Sequence, residues 1–255
     1  MTIYVVSDLH GATDELAAAL PGDAQLLLLG DLINLLDYTT KTGILYEVFS
    51  VEAVERVSSL RARGEFEEAT RVIRERAVGK HDLRGEISRR VEDQYAEVFS
   101  ILPDPTYLIT GNVDSPDEVA RLAAGHPGVH LADGRVVTLS GERFGFVGGA
   151  LPTPFGAAGE VNPERLAATV SSLGKVDILC SHIPPAVPEL CFDTLAGRPE
   201  AGSRDLLAYI EDVQPRRAYF GHVHQPLVSS MYVGRTLCIN VGYFRATGRA
   251  WVHHQ

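Results

Sequence analysis

The sequence predicts an α/β fold with a substantially parallel sheet, and three features of the chain support this prediction. Several apolar runs, such as QLLLL at residues 25–29, contain no charged side chain inside the run, which is typical of strands covered on both faces. Stretches with helical periodicity separate these runs, as in sheets whose parallel strands are joined by helices. Most of the runs end at polar residues, often after a glycine, so that Asp, Asn and His side chains follow the strands.

The first predicted elements are two strands with a helix between them. Residues 3–6 form a short β-rich run, and residues 25–29 form the second strand. The predicted helix covers residues 13–20, with Asp14 and Glu15 in its first turn, where the helix dipole favours acidic side chains.

From about residue 41 to residue 102 the pattern changes to that of a helical insertion. Charged residues become dense there, and apolar residues recur at helical spacing. No segment has the composition of a linker, so we predict a single domain over residues 1–255 that contains this insertion. The insertion would lie against the core, as a cover over the site, or against a second subunit, which would make the protein a homodimer. Its three apolar stripes run from Leu45 to Leu60, from Phe66 to Ala77 and from Leu83 to Leu102.

The α/β pattern returns after the insertion. An apolar run precedes Gly111, and Ser115 or Asp117 can cap a helix that runs to about Ala124. Three short β runs within residues 129–149, separated by turn residues, predict antiparallel hairpins. The remaining predictions are helices at residues 163–173 and 203–212, strands before His182 and before Gly221, and β runs near residues 227–233, 235–241 and 249–253.

The composition limits the class of protein. The chain has 255 residues, 45% hydrophobic and 22% charged, as is ordinary for a globular protein. Its formal net charge of −10 argues against a nucleic-acid or membrane-surface binder, but bound cations would still allow a phosphorylated substrate. Cys180 and Cys238 lie in apolar runs and are expected to be buried, reduced thiols. No apolar run is long enough to cross a bilayer and no leader pattern precedes the first strand, so we predict a cytoplasmic protein.

The GHVH motif at residues 221–224 places His222 and His224 two residues apart, after a short apolar run. If the chain is extended there, the two imidazoles leave the same side of the backbone. Asp8 and His10 have the same spacing after the first strand. Because neutral imidazole is the commonest protein metal ligand, both pairs indicate a metal site.

Seven polar side chains follow five predicted strands. Each alone has an ordinary structural explanation, such as a turn aspartate or a hydrogen-bonded histidine. In open α/β sheets, ligands bind beyond the carboxyl ends of the strands, so one shared site explains all seven together. The candidate metal ligands are Asp8, His10, Asp31, Asn112, His182, His222 and His224.

The number and type of these ligands indicate two metal ions. Seven oxygen and nitrogen ligands are too many for one zinc ion, which binds about four. They suit two divalent ions that share a carboxylate, as in two-metal sites that act on phosphoryl groups. Mixed histidine and carboxylate ligation favours manganese, iron, zinc, cobalt or nickel over magnesium and calcium. We expect two such transition-metal ions, with manganese the ion that serves in vitro.

The ordered motifs resemble those of the calcineurin-like metallophosphoesterases: D-x-H at residue 8, G-D at 30, G-N-x-D at 111, H at 182 and G-H-x-H at 221. The resemblance covers nearly the whole chain except the insertion, and it implies a four-layer αββα sandwich and a metal-dependent phosphoric ester hydrolase. It also implies that Asp31 bridges two metals and that a hydroxide held between them attacks phosphorus in line. By the same resemblance, one metal is held by Asp8, His10 and His224, and the other by Asn112, His182 and His222.

The sequence departs from many members of that family at Val113. The family commonly has a histidine at this position of the G-N motif, where it contacts phosphate and can protonate the leaving group. Some bacterial phosphodiesterases with cysteine there, and lipid-pathway pyrophosphatases with arginine, also lack it. We therefore predict a phosphodiesterase acting on small phosphorylated substrates with good leaving groups. The alternatives are a nucleotide pyrophosphatase, a phosphomonoesterase or a non-catalytic scaffold of the same fold.

Further residues are assigned around the predicted ligands. Asn112 and Asp114 are the predicted catalytic residues, with Asp114 acting as a hydrogen-bond partner that orients the ligands. The segment with Asn34, Asp37 and Tyr38 follows Asp31 and would either line the substrate side or form an ordinary surface loop. The histidines that we do not expect to be ligands are His81, His126, His130, His253 and His254.

Overall fold

The computed structural model describes residues 2–38, 40–77 and 82–254, apart from the side chains of residues 76 and 77. His81, which the sequence analysis does not expect to be a ligand, lies outside the described residues. The strands are β1 Ile3–Val6, β2 Gln25–Leu29, β3 Thr106–Ile109, β4 Val129–Leu131, β5 Val136–Leu139, β6 Glu142–Val147, β7 Ile178–Ser181, β8 Phe192–Asp193, β9 Arg198–Pro199, β10 Arg217–Phe220, β11 Ser230–Val233, β12 Thr236–Asn240 and β13 Trp251–His253. The helices are α1 Thr13–Ala19, α2 Ile44–Val48, α3 Val51–Ala62, α4 Phe66–Ala77, α5 Leu83–Ile101, α6 Pro116–Gly125, α7 Pro163–Ser172, α8 Pro188–Cys191, α9 Arg204–Val213 and α10 Phe244–Thr247.

Two large mixed sheets contain most of these strands. The first sheet has the order β13-β1-β2-β3-β4, with β1 to β4 parallel and β13 antiparallel at one edge. The second has the order β11-β12-β10-β7-β6-β5, in which the four inner strands are parallel and both edge strands are antiparallel. A separate pair, β8 and β9, forms a small antiparallel hairpin. The predicted α/β fold with substantially parallel strands is thus confirmed.

Alternation of side chains along the strands produces four layers. In the first sheet Val5 and Leu27 face the second sheet and pack against residues such as Phe146. Their neighbours Val6 and Leu28 point the other way, against α1, α5 and α6. The outer face of the second sheet is covered in the same manner by α7 and α9. Inner strands such as β2 and β7 are buried on both faces, which explains their largely apolar sequences, and the αββα sandwich is confirmed.

The prediction of antiparallel hairpins over residues 129–149 is wrong for β4. Only β5 and β6 form a hairpin, whereas β4 pairs in parallel with β3 at the edge of the first sheet. The turn between β4 and β5 carries the chain from one sheet to the other. A hairpin and a crossing between sheets both appear in a sequence as short β runs separated by turn residues, so local pattern does not distinguish them.

The three longer helices of the predicted insertion, α3, α4 and α5, fall into two groups. Helices α3 and α4 pack on each other through Leu60, Ala69 and Val72, which form a small separate core. Helix α5 instead contributes Tyr95 and Phe99 to the main core beneath the first sheet. Helix α5, although it lies within the predicted insertion, is therefore also part of the helical layer that covers the outer face of the first sheet. The boundaries of the insertion, and a homodimer formed through it, stay predictions.

Two smaller expectations concern cysteines and membranes. Cys180, Cys191 and Cys238 are buried free thiols, as expected for the two that lie in apolar runs. Among the described residues, no helix combines the length and the apolar character that a bilayer crossing requires.

Candidate metal centre

The seven candidate ligands lie in loops at one edge of the two sheets. Each loop follows the carboxyl end of a parallel strand. The strands are β1, β2 and β3 in the first sheet and β7 and β10 in the second. The site therefore lies where the two sheets come together, as expected for the carboxyl ends of parallel strands. By loop the residues are Asp8 and His10 after β1, Asp31 after β2, Asn112 after β3, His182 after β7, and His222 and His224 after β10.

One group of side chains comprises Asp8, His10 and His224. One potential ligand atom from each of the three side chains lies within 4.8 Å of the other two. His224 Nε2 is 3.8 Å from Asp8 Oδ1, and the ring centroids of His10 and His224 are 5.2 Å apart. Three potential ligand atoms thus surround one small space, which we name the first ligand group.

Asn112, His182 and His222 form the second ligand group. Asn112 Oδ1 is 3.0 Å from His182 Nε2 and 2.9 Å from His222 Nδ1. Asp31 lies between the two groups, because its Oδ2 is 3.7 Å from His10 Nε2 and 3.6 Å from His182 Nε2. A carboxylate in this position can bind an ion in each group.

The contact between His182 and Asn112 is what a bound cation would require. His182 Nδ1 lies 2.8 Å from the Leu29 carbonyl oxygen, which can only accept, so the proton of the neutral ring is on Nδ1. Burial lowers the pKa of His182 to about 4, and Nε2 of the neutral ring therefore presents a lone pair to Asn112 Oδ1, another acceptor. Two lone pairs that converge in this way are stabilised when a cation lies between them. Both atoms are of types that bind divalent metal ions, so His182 and Asn112 would together hold part of such an ion.

His10 gives a second indication that the site fits a cation. Both of its ring nitrogens are buried, and neither has a hydrogen-bond partner within the described part of the chain. A buried polar group without a partner costs about 1–3 kcal/mol, so such groups are rare in folded proteins. An imidazole with its lone pair directed at Asp8, Asp31 and His224 is suited to ligate a metal.

Burial favours the neutral forms of both the carboxyl and the imidazole side chains of the site. Burial, and then the charge of Asp31, raises the pKa of Asp8 well above its usual value. Burial raises the pKa of Asp31 to about 7 and lowers the pKa of His224 to about 4. The protein alone therefore disfavours two adjacent carboxylates, and divalent cations would restore their ionised form.

The backbone explains why the loops converge. Asp8, His10, Asp31 and His222 have φ angles of 55°, 42°, 54° and 67°, in the left-handed region that side chains usually avoid. The expectation that the D-x-H and H-x-H pairs converge because the chain is extended is therefore wrong, although the side chains do meet. Tight turns beyond the strand ends, rather than strand alternation, direct these side chains to one point.

Asp114 fastens two of the ligand loops together. Its carboxylate accepts hydrogen bonds from the backbone N–H groups of Asp31 at 2.8 Å, Leu32 at 3.0 Å and Gly111 at 2.7 Å. A Cβ on Gly111 would overlap the Asp31 carboxylate, so glycine is needed where these loops touch. The prediction that Asp114 supports the ligands through hydrogen bonds agrees with this geometry.

Sequence reasoning missed three residues that support the site. Tyr95 of α5 donates a hydrogen bond to Asp114 at 3.4 Å and accepts one from the Ser115 N–H at 2.8 Å. Tyr243 stacks on the His224 ring with centroids 3.9 Å apart, and Arg245 donates to the His10 carbonyl oxygen at 2.5 Å. The signal for Tyr243 was present, since it follows strand β12 at the same edge of the second sheet. Tyr95 was assigned only to an apolar stripe.

The candidate substrate-side residues differ in exposure. Asn34 is buried, and its side chain donates to Thr42 Oγ1 at 3.3 Å. Asp37 is also buried and accepts a hydrogen bond from the Tyr243 hydroxyl at 2.9 Å, which brings it close to the first ligand group. Tyr38 is 43% exposed. Contact of these residues with a substrate stays a prediction.

The chain belongs to the calcineurin-like phosphoesterase family, whose model matches residues 1–226. It is accordingly a metal-dependent phosphoester hydrolase with divalent metal ions at its active site. The resemblance inferred from the five sequence motifs is thus confirmed. A comparison with curated proteins found no match.

Solved structures resemble the chain more distantly. A protein of unknown function, AQ665 from Aquifex aeolicus, is 13% identical with a TM-score of 0.40, over 98% of this chain and 95% of that one. The purple acid phosphatase PPD1 from yellow lupin (Lupinus luteus) is 11% identical with a TM-score of 0.46, over 95% of this chain and 44% of that one. The sulfate thiohydrolase SoxB from Thermus thermophilus is 16% identical with a TM-score of 0.36, over 93% and 51%. The family assignment depends on the family match and draws nothing from these likenesses.

Proposed function

We propose that the protein is a phosphodiesterase with two metal ions, acting on small phosphorylated substrates. The observation that carries this proposal is the environment of Val113. Its backbone N–H donates to Asp31 Oδ1 at 3.0 Å, while its side chain packs against the apolar core. The backbone of Val113 therefore helps to hold Asp31, but its side chain has no acidic proton to donate to the leaving-group oxygen.

The two ligand groups define the proposed division of labour. The first group would hold one transition-metal ion and the second group another, and Asp31 would be shared between them. Two such ions, when bound, neutralise phosphoryl oxygens and activate water for in-line displacement. Tyr243 and the Leu29 carbonyl oxygen orient the rings of His224 and His182, so the ligand atoms are directed at the site before a substrate arrives.

The lack of an acid at Val113 determines the substrate class that we propose. The histidines of both groups use their lone pairs for the ions and do not protonate a leaving group. General acid catalysis is worth about 10²–10⁴ in rate, so its loss matters most for substrates with poor leaving groups. A diester whose leaving group departs easily as an anion needs no such help.

Hydrolysis of bis(4-nitrophenyl) phosphate and of its monoester, 4-nitrophenyl phosphate, tests the proposal. The protein is stripped of metal and reloaded with manganese, and kcat/KM is measured for both compounds. We expect turnover that requires manganese and a diester preference of about tenfold or more. Asp31→Asn should abolish activity, whereas Asp23→Asn, at an exposed turn residue, should leave it unchanged.

Each alternative function predicts a different result. Preference for the monoester would make the protein a phosphomonoesterase. Turnover of pyrophosphate-linked nucleotides alone would identify a nucleotide pyrophosphatase. Failure to hydrolyse any of these compounds with manganese bound would favour a non-catalytic scaffold.

A further inference from the structure

Two aromatic side chains meet from separate loops, each of which is linked to the metal centre. The ring centroids of Tyr38 and Phe155 are 5.9 Å apart, with 50° between the ring planes. Tyr38 is 43% exposed and Phe155 is half-buried, so neither ring belongs to the core. We name this pair the aromatic rim.

Tyr38 is connected to the first ligand group. Its neighbour Asp37 accepts a hydrogen bond from the Tyr243 hydroxyl at 2.9 Å. The Tyr243 ring in turn stacks on His224, with 3.9 Å between centroids and 10° between planes. A short chain of contacts therefore fixes the backbone of Tyr38 relative to the proposed first metal.

Phe155 is connected to the second ligand group from the other side. It lies in the loop between β6 and α7, and in this loop the Gly159 N–H donates to the Asn112 carbonyl oxygen at 2.9 Å. The segment that carries Tyr38 is thus linked to the first ligand group, and the loop that carries Phe155 is linked to the second. The two rings meet although the segments that carry them are linked to different ligand groups.

Helix α3 of the insertion holds the rim in place. The Ser58 hydroxyl donates to the Tyr38 hydroxyl oxygen at 3.1 Å, and Arg61 donates to the Phe155 carbonyl oxygen. Burial raises the pKa of Tyr38, and the positive charges of Arg198 and Arg61 oppose that rise, so two cations lie near the ring. Arg198 belongs to the β8–β9 hairpin, which is joined to the segment after His224 by the hydrogen bond from Thr194 N–H to the Gln225 carbonyl oxygen, at 2.8 Å.

We propose that the aromatic rim binds a planar aromatic part of the substrate, such as a nucleobase, by stacking while the phosphate is bound at the metals. This inference depends on the proposed function and narrows its substrate class to aromatic phosphate esters of the nucleotide type. Stacking on aromatic side chains tolerates any nucleobase. The nearby arginines would attract the electron-rich face of the bound base, and also any second phosphate group of the substrate. Exposed aromatic rings held rigidly beside a phosphate site are suited to this role, because little freedom is lost on binding.

Binding of adenosine 5′-monophosphate and ribose 5-phosphate tests the inference, since ribose 5-phosphate has the same sugar and phosphate but a hydroxyl group in place of the base. Isothermal titration of the manganese-loaded protein gives both dissociation constants. We expect the base-bearing ligand to bind about tenfold more tightly to the wild type. Phe155→Leu and Tyr38→Leu should each reduce this ratio to about twofold or less, while the affinity for ribose 5-phosphate stays within about twofold.

Tyr232→Leu is the matched control, because Tyr232 is 66% exposed on the edge strand β11 of the second sheet. It should leave both dissociation constants unchanged. Equal affinity of the wild type for the two ligands would overturn the inference, as would a ratio that neither rim variant changes. Loss of binding for both ligands in a rim variant would show a packing role only and would also overturn it.

The proposed function fails in a different way. If it is wrong, the wild type binds neither ligand in a manganese-dependent manner and does not hydrolyse the activated diester. Manganese-dependent binding of ribose 5-phosphate that is lost in Asp31→Asn, together with no preference for the base, overturns only the role of the rim.

Discussion

The candidate ligands combine unfavourable backbone conformations with buried polar side chains. Of the seven non-glycine residues with positive φ among the described residues, four are Asp8, His10, Asp31 and His222. A left-handed conformation costs a non-glycine residue about 1–2 kcal/mol. Strain concentrated at one site is typical of a functional site that the rest of the fold stabilises.

Asp133 allows a prediction about pH at the residue scale. It lies beside the metal centre rather than in it, and its Oδ2 accepts from Thr110 Oγ1 at 3.1 Å while Oδ1 has no partner among the described residues. Burial raises its pKa to about 6 from 3.8. The folded protein therefore binds this proton more tightly than the unfolded chain does, and the stability that the proton contributes is present below pH 3.8 and lost as pH rises through about 6.

Asp133→Asn should remove this dependence, because the amide stays neutral. We expect the melting temperature of the variant to exceed that of the wild type above pH 6, and the difference to shrink towards pH 4. Thermal unfolding of both proteins at several pH values measures this difference. A difference that is constant with pH, or that grows as the pH falls, would contradict the assignment.

Tyr95→Phe tests the support of the site by α5. Removal of the hydroxyl leaves the Ser115 N–H without its partner at 2.8 Å and takes one donor from Asp114. We expect a loss of about 1–3 kcal/mol in the free energy of unfolding and a manganese affinity about tenfold lower. Tyr107→Phe in β3 is the control, because its hydroxyl makes no hydrogen bond within the described residues. Equal behaviour of the two variants in denaturation and manganese titration would refute the role of Tyr95.

At the scale of elements, strand and helix type followed from the sequence wherever a segment was long and regular. Strands such as β2 are unbroken apolar runs because both faces of the sheet are covered. Helix α10 and the β8–β9 hairpin were missed, since segments of four residues or fewer repeat the helical or strand period too few times to show a pattern. The pairing of β4 was not predicted, because it depends on which of the two sheets this strand joins. Contacts between residues far apart in sequence decide which sheet that is.

The candidate site was easier to predict than the pairing of strands. Motifs such as D-x-H keep their chemistry-bearing residues close together in sequence, and the strand ends place them at one edge. The partners of the ligands were harder to find. Tyr95 and Tyr243 lie far along the chain from the residues that they contact, and their apolar rings resemble ordinary core residues in a sequence.

The two groups of insertion helices should differ in their effect on stability. Phe99 of α5 is 2% exposed in the main core, whereas Phe66 at the start of α4 is 52% exposed. We expect Phe99→Ala to cost about 3–5 kcal/mol in the free energy of unfolding, and Phe66→Ala less than about 1 kcal/mol. Chemical denaturation measures both. Similar losses in the two variants would show that α3 and α4 belong to the same cooperative core as α5.

At the scale of the whole molecule, the metal centre joins the two sheets. Its candidate ligands come from β1, β2 and β3 on one side and from β7 and β10 on the other. The chain carries a formal net charge of −10, and two divalent ions at this edge would offset part of it. Bound metals should therefore stabilise the packing of the sheets as well as supply chemistry.

The metal content of the protein tests this account most directly. Protein stripped of metal is titrated with manganese, and bound metal is measured per chain for the wild type and for Asn112→Ala, which lacks one candidate ligand of the second group. We predict two ions per chain in the wild type and one tightly bound ion in the variant. A single ion in the wild type, or none, would contradict a site built from two ligand groups that share Asp31.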